Sequence, residues 1–457
     1  MIFLSMVIAS MTLQDSPKRD VAIAKAMASS LAALPRAQAD TTRPAFHYRA
    51  PALWMNDPNG PIYLDGWYHL FYQFNPYGDR WGNMHWGHAR SRDLVDWEDL
   101  PVALWPSKAQ GEDHVYSGSC FLPPGSKTPI AFYTSISGKR APEQWAAVPE
   151  DRDLIRWRKV AENPAVTSNL QEWRDPFLFQ HDGANWMLSG GGQNGRGVVT
   201  LHRAKDKSLL HWEDRGVLFR YPDTTVANIE CPNFAKVGDR WVLLVSVHGK
   251  VEYFVGDLDE KMSFQSRDRG VLNQGSYASQ LLFAPRGKVI NLAWVPTDNH
   301  SGWNGFQSLP SVLSMTKAGE LVRAPIPELR KLRNSTVDLG KMDVQGEVNL
   351  SSRVSGELLE IVADVDLGDA KEFGFRLRRS ADGSRSVKVA YASGGKIHLF
   401  LDRGVVDDFV GMGRTIKFSA DARDLGFSVY SEVGTVRLKS LVVHTLRPAK
   451  FDLTRYR

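Results

Sequence analysis

The chain has 457 residues, 43% of them hydrophobic and 11% aromatic, with 56 Lys and Arg against 51 Asp and Glu for a formal net charge of +5. That length exceeds what one small core needs, so two domains are expected. The cations are scattered among acids without a long basic run, which leaves no footprint for nucleic acid, and no uninterrupted apolar stretch reaches membrane-spanning length.

Residues 1–41 read as a leader. Met1 to Met11 is apolar without a basic start, while Lys18-Arg19 precedes an Ala-rich stretch ending in Ala37-Gln38-Ala39. That pattern suits a signal peptide with an A-x-A cleavage site, a mature start near Asp40, and a secreted or periplasmic protein. A disordered or amphipathic leader on a cytoplasmic protein is the alternative.

From residue 42 to 323 a unit repeats. Short apolar strands are followed by a turn containing Gly and then by a second strand, with turn glycines at 66, 125, 183, 238 and 287. They recur about every 50 to 60 residues, a repeat signature, and glycine supplies the positive φ of tight hairpins. A second marker keeps step: Asp93 to Trp97, Asp153 to Trp157 and Ser208 to Trp212 fall at matching places. Four short strands per unit and five units predict a five-bladed β-propeller, with the first strand of each blade lining a central channel. Cys120 and Cys231 fall in different units and read as free thiols.

The prolines of Ala324 to Arg330 break the repeat, and 324–340 reads as a linker. In 341–457, Leu359, Ile361, Ala363, Val365 and Leu367 alternate with mostly polar neighbours, as do Phe373, Phe375 and Leu377, which is half-buried strand patterning and predicts a β-sandwich. The fold expected is all-β.

Three inner strands begin with acids: Asn56-Asp57-Pro58, Arg174-Asp175-Pro176 and Glu230-Cys231-Pro232. Any one such pair can simply start a strand, because Pro is tolerated there and Asp favours turns. Three of them, expected at equivalent places in three blades, would bring carboxylates from distant parts of the chain to one mouth of the channel. Glycoside hydrolysis with retention uses such a cluster: an ionised carboxylate attacks the anomeric carbon and a protonated acid ~5 Å away serves the leaving oxygen. Asp57, beside the donors Asn56 and Asn59, suits the nucleophile. Glu230, between Ile229 and Cys231-Pro232, suits the acid because a drier setting raises a carboxyl toward ~6. Trp303, on a Gly-flanked loop in the fifth unit, is a candidate wall for substrate. His85 and His88 lie in strand-like sequence without partners in register, so no metal site is expected.

At these residues the sequence resembles glycoside hydrolase family 32, the invertases, inulinases and levanases. The stretches that carry the resemblance are Trp54 to Gly60, Phe71-Tyr72-Gln73, Trp81 to His88, Tyr116 to Ser119, Arg174-Asp175-Pro176 and Glu230-Cys231-Pro232, and it runs from about His47 to the C-terminal end. Tyr116 stands where the family usually has Phe, and Ser279 where Pro is usual. The resemblance implies a propeller and sandwich, a transition-state role for Asp175 on the fructosyl hydroxyls, and substrate contacts from Asn56, Gln73, Trp81, Ser117 and Arg174. It also implies a cofactor-free hydrolase of β-D-fructofuranosyl linkages in sucrose, inulin or levan. A fructosyltransferase would use the same acids, whereas a non-catalytic sugar-binding propeller would be expected to have lost one.

Overall fold

The computed structural model describes residues 2–457, with side chains from residue 18 onward. Apart from one N-terminal helix, Ile2–Ala39, and three short 3-10 turns, the regular structure of the described residues is strand. Five sheets of four to six strands are built on residues 53–325, and a nine-stranded sheet on residues 333–446.

Each of the five sheets begins with an inner strand: Leu53–Leu64, His114–Phe121, Gln171–His181, Glu230–Val237 and Tyr277–Ala284. Antiparallel hairpins carry each sheet outward. Gly66 and Gly183 take φ of 80° and 72° in these turns, a region open to glycine at no steric cost. The inner strands neighbour one another in a closed circuit from first to fifth and back to first, which is a propeller arrangement. The marker Trp97, Trp157 and Trp212 are all buried between sheets, and Trp157 and Trp212 each donate the indole N–H to a carbonyl three residues upstream.

The expectation of five equal units is corrected. Four sheets are meanders of four consecutive strands, whereas the fifth is interrupted by two short strands, Trp303–Asn304 and Phe306–Gln307. The first of these crosses to pair in parallel with Leu53-Trp54, so the fifth sheet departs from the repeat where it closes the ring on the first.

Part of the expected linker is already strand. Arg333–Asp338 pairs with the long strand Gly426–Leu446, leaving only the turn Pro327–Leu332 between the two regions. That long strand pairs with Glu372–Arg379 along its first half and with Leu358–Asp366 along its second. Between the halves, Val433 and Gly434 take φ of 52° and 92°. The sheet therefore curls over one apolar core that includes Ile361, Phe373, Phe375, Leu377, Leu399 and Phe427. After it, Phe451–Asp452 returns to the outer edge of the first propeller sheet.

The N-terminal helix is seated against the propeller. Ala26, Ser30 and Ala37 have no exposed surface, the Tyr456 hydroxyl donates to Ser30 Oγ at 2.7 Å, and Arg19 pairs with Glu150 at 2.7 Å. Of Ala37-Gln38-Ala39 at the helix end, Ala37 is buried and the other two are exposed, and residues 18–39 pack against the propeller. The apolar run Met1 to Met11 lies outside the residues whose side chains are described. No helix among the described residues is long and apolar enough to cross a membrane.

One buried charge cluster ties the two regions together. The backbone N–H groups of Ala45, Phe46 and His47 all donate to the Asp402 carboxylate at 2.7 to 3.1 Å. The His47 ring bridges Asp402 at 2.8 Å and Asp407 at 2.5 Å, with all three side chains fully buried. Burial alone would lower the His47 pKa, but the two carboxylates win and raise it to about 9. A raised folded pKa means that the imidazolium stabilises fully below its ordinary pKa of ~6.5 and that this stabilisation is lost as pH climbs through about 9. His47→Gln should therefore cost about 3 kcal/mol near pH 6, the scale of breaking a buried ion pair. In denaturant melts of both proteins, the gap between wild type and variant should narrow from pH 7 to pH 10. A gap constant across that range would show that His47 acts without its charge.

Candidate active site

All five inner strands slip register against their hairpin partners at the same depth. The slips lie between Met55 and Pro58, Val115 and Gly118, Arg174 and Phe177, Glu230 and Asn233, and Tyr277 and Gln280. A bulge leaves extra residues unpaired and re-aims their side chains, and proline, which cannot donate to a ladder, is at home there. Asp175, Cys231 and Ala278 take φ of 62°, 48° and 51° at their bulges.

Aligning the strands on Pro58, Gly118, Pro176, Pro232 and Ser279 sorts the site into two rings. Asp57, Ser117, Asp175, Cys231 and Ala278 form the deeper ring. Asn56, Tyr116, Arg174, Glu230 and Tyr277, each one residue upstream, form the ring above. The expectation that Glu230 shares the register of the two aspartates is therefore corrected: Cys231 occupies that place, because its strand reads acid-Cys-Pro where the others read acid-Pro.

Contacts within the deeper ring bear this out. Ser117 Oγ donates to Asp57 at 2.5 Å, and the Cys231 backbone N–H donates to Asp175 at 2.9 Å. Cys231 Sγ lies 3.7 Å from Asp57 and 3.5 Å from Asp175. Cys231 and Cys120 are both free thiols. In the upper ring Arg174 donates to one Glu230 oxygen at 2.6 Å, and the Tyr277 hydroxyl donates to the other. Asn56 links the rings, accepting from the Trp54 indole at 2.8 Å and donating to Asp57 at 3.0 Å.

The electrostatics follow from burial and from a guanidinium, Arg174, that serves Glu230 and Glu172 at 2.6 Å each and stands 3.9 Å from Asp175, leaving Asp57 without a cation among the described residues. Burial pushes the Asp57 carboxyl upward against the pull of the bonds from Ser117 and Asn56, with the Glu230 charge adding to the rise. Burial likewise pushes Asp175 up to about 7, outweighing Arg174, whose Nε stands 3.9 Å away. The hydrogen-bonded setting expected to hold Asp57 low is present but does not outweigh its burial. Nor is Glu230 in a dry pocket: its side chain is 31% exposed and is gripped by a cation and a phenol.

The remaining candidates divide. Trp81 is 52% exposed at the rim, with the rings of His114 and Tyr116 at 5.3 and 6.1 Å. Gln73 is buried and donates to the Val115 carbonyl at 3.0 Å, joining the second strand of the first sheet, Trp67–Asn75, to the second inner strand. Trp303 is 5% exposed, with its indole N–H on Asp40 at 2.8 Å, so it packs the fifth-sheet loop against the end of the N-terminal helix and does not wall the mouth. Tyr277 was missed from sequence because its strand carries neither acid nor proline. Aligning the fifth inner strand on the others would have placed it beside Glu230.

Residues 47–325 match the glycosyl hydrolases family 32 N-terminal domain. The levanase of Bacillus subtilis is 28% identical, over 89% of this chain and 70% of the levanase. The β-fructofuranosidase insoluble isoenzyme 3 of Oryza sativa is 31% identical, over 74% of this chain and 67% of the isoenzyme. The chain spans less than two thirds of several other curated relatives, 58% of the Beta vulgaris fructan 6-exohydrolase among them. Among solved structures, fructan 1-exohydrolase IIa of Cichorium intybus superposes with a TM-score of 0.81 at 21% identity, over 90% of this chain and 99% of that one. A Bombyx mori family 32 β-fructofuranosidase superposes with a TM-score of 0.78 at 25% identity, over 95% and 99%. With the family domain matched across the whole region that holds the carboxylate rings, the chain belongs to glycosyl hydrolase family 32.

Proposed function

We propose that this protein hydrolyses β-D-fructofuranosyl linkages of sucrose and fructans with retention of configuration. The observation that carries the reading is the two-ring arrangement, with a half-buried Asp57 held by two donors beside a half-buried Glu230 held by Arg174 and Tyr277. The relatives named levanase, β-fructofuranosidase and fructan exohydrolase support the substrate class. We read the five sheets as the blades of one five-bladed propeller and the curled sheet as a supporting β-sandwich.

In the first step the ionised Asp57 forms a bond to the anomeric carbon as the bond to the leaving oxygen breaks, and Glu230 passes its proton to that oxygen. In the second, Glu230 takes a proton from water, the water oxygen bonds to the same carbon, and Asp57 leaves. Asp175, protonated below pH of about 7, hydrogen-bonds fructosyl hydroxyls, and its neutral form relieves the repulsion of Glu230 and Asp57 in the resting site. Arg174 and Tyr277 aim Glu230, Ser117 and Asn56 aim Asp57, and Trp81 offers an apolar face to the departing sugar. The chemistry calls for no cofactor.

Export, expected from Ala37-Gln38-Ala39, would require cleavage that lifts residues 18–39 from their seat. N-terminal sequencing of protein from the native host decides this: a start near Asp40 supports that cleavage, and a retained helix overturns it.

Asp57→Asn should lower kcat on the order of 10⁴-fold or more, the scale of losing a covalent nucleophile, with circular dichroism unchanged. Full activity in that variant would sink the assignment. Glu230→Gln should show a different pattern, since an acidic phenol leaves without a proton whereas a sugar alkoxide does not. Its loss on an aryl fructoside should be at least about tenfold smaller than its loss on sucrose. Equal losses would move the acid role elsewhere. Product analysis at high sucrose completes the test, because accumulating trisaccharide would recast the enzyme as a fructosyltransferase.

A further inference from the structure

A cavity of about 560 Å³ lies between the propeller and the curled sheet, walled on one side by the fifth-sheet loop around Pro296 to Asn299 and on the other by Arg378, Arg403 and Lys417. Its charge is unbalanced. Of the carboxylates around it, Glu357 is shared by both arginines, at 3.0 Å from Arg378 and 3.3 Å from Arg403. Asp298 is 98% exposed and turned to His300 at 3.0 Å. Lys417 has no carboxylate partner among the described residues. Its side chain is exposed, and its ammonium donates to the Pro296 carbonyl.

Arg378 supplies the second observation. It is only 4% exposed, its two terminal nitrogens are engaged by Glu357 and the Asp421 carbonyl, and its Nε has no partner among the described residues. A buried guanidinium N–H left without an acceptor is costly. An oxyanion would satisfy it and could also accept from the Lys417 ammonium on the same wall, since planar guanidinium and ammonium groups are the usual phosphate ligands. The space exceeds what a bare anion fills and is in the range that holds a small organic ligand.

We infer that this cavity is a second binding site, separate from the carboxylate rings, for a phosphomonoester on a sugar-sized body. The proposal does not depend on the fructoside reading, and its test reads binding instead of turnover. Full-length protein would be titrated calorimetrically with fructose 6-phosphate, with inorganic phosphate, and with fructose as the neutral control.

Saturable binding of fructose 6-phosphate is expected, weakened at least about tenfold in Lys417→Ala and in Arg403→Ala, the scale of losing one charge-assisted contact. Sucrose hydrolysis without phosphate should be unchanged in Lys417→Ala, whose side chain reaches only the loop carbonyl. Equal affinity for inorganic phosphate would support the site as one for the bare anion. Absence of saturable binding by either phosphate overturns the inference. So does phosphate affinity that stays the same in both variants, or fructose binding that matches fructose 6-phosphate, since each would put the ligand in the catalytic mouth.

Discussion

Five inner strands must converge on one axis, and an unbroken ladder cannot both converge and present side chains inward at the same depth. The shared bulge resolves this. By interrupting the pairing of each strand beside its two ring positions, it gives the two rings their shared place along the five strands, and the three catalytic carboxylate candidates are drawn from those rings. Everything nearby serves that arrangement: the prolines give up no ladder bond, the hairpin glycines set the length of each blade, and the interrupted fifth sheet closes the ring onto Leu53-Trp54.

Concentrating acids at the axis has an electrostatic cost that the rings distribute unevenly. Burial raises both of the deeper aspartates, Asp57 against the hydrogen bonds from Ser117 and Asn56 that favour its charged form. The upper glutamate keeps contact with solvent and with Arg174. Cys231 stands between the two aspartates in place of a third acid, and a neutral thiol there avoids a repulsion that a carboxylate would add. The order Glu230-Cys231-Pro232 therefore has a physical reading: it moves the third carboxylate up one level, to the place from which the proposed mechanism has it exchange a proton with a leaving group.

Much of this was legible in the sequence, because it rests on residues with strong local preferences. Gly66, Gly183 and the marker tryptophans announce the repeat, and Asp57-Pro58 and Arg174-Asp175-Pro176 announce the bulges. What the sequence hid depends on registration. The one-residue offset of Glu230 and the presence of Tyr277 appear only when five strands are aligned at one depth, and the fifth strand has no proline to align on. Trp303 misled for a related reason: a loop aromatic looks available until the partner that occupies it, Asp40, is placed beside it. The His47 clamp joins residues more than 350 positions apart and has no local signature at all.

The first sheet is assembled from three distant parts of the chain: residues 53–104, the short strand Trp303–Asn304, and the return strand Phe451–Asp452. During synthesis the ribosome delivers the residues of both rings long before it delivers that last strand or the Asp402 partner of His47. An emerging chain can therefore form its middle blades early, yet it must hold the first blade with an open outer edge until the final residues clear the exit tunnel. Translation stalled before residue 451 would release a protein with both rings present and an unpaired, aggregation-prone strand on the outer edge of its first sheet.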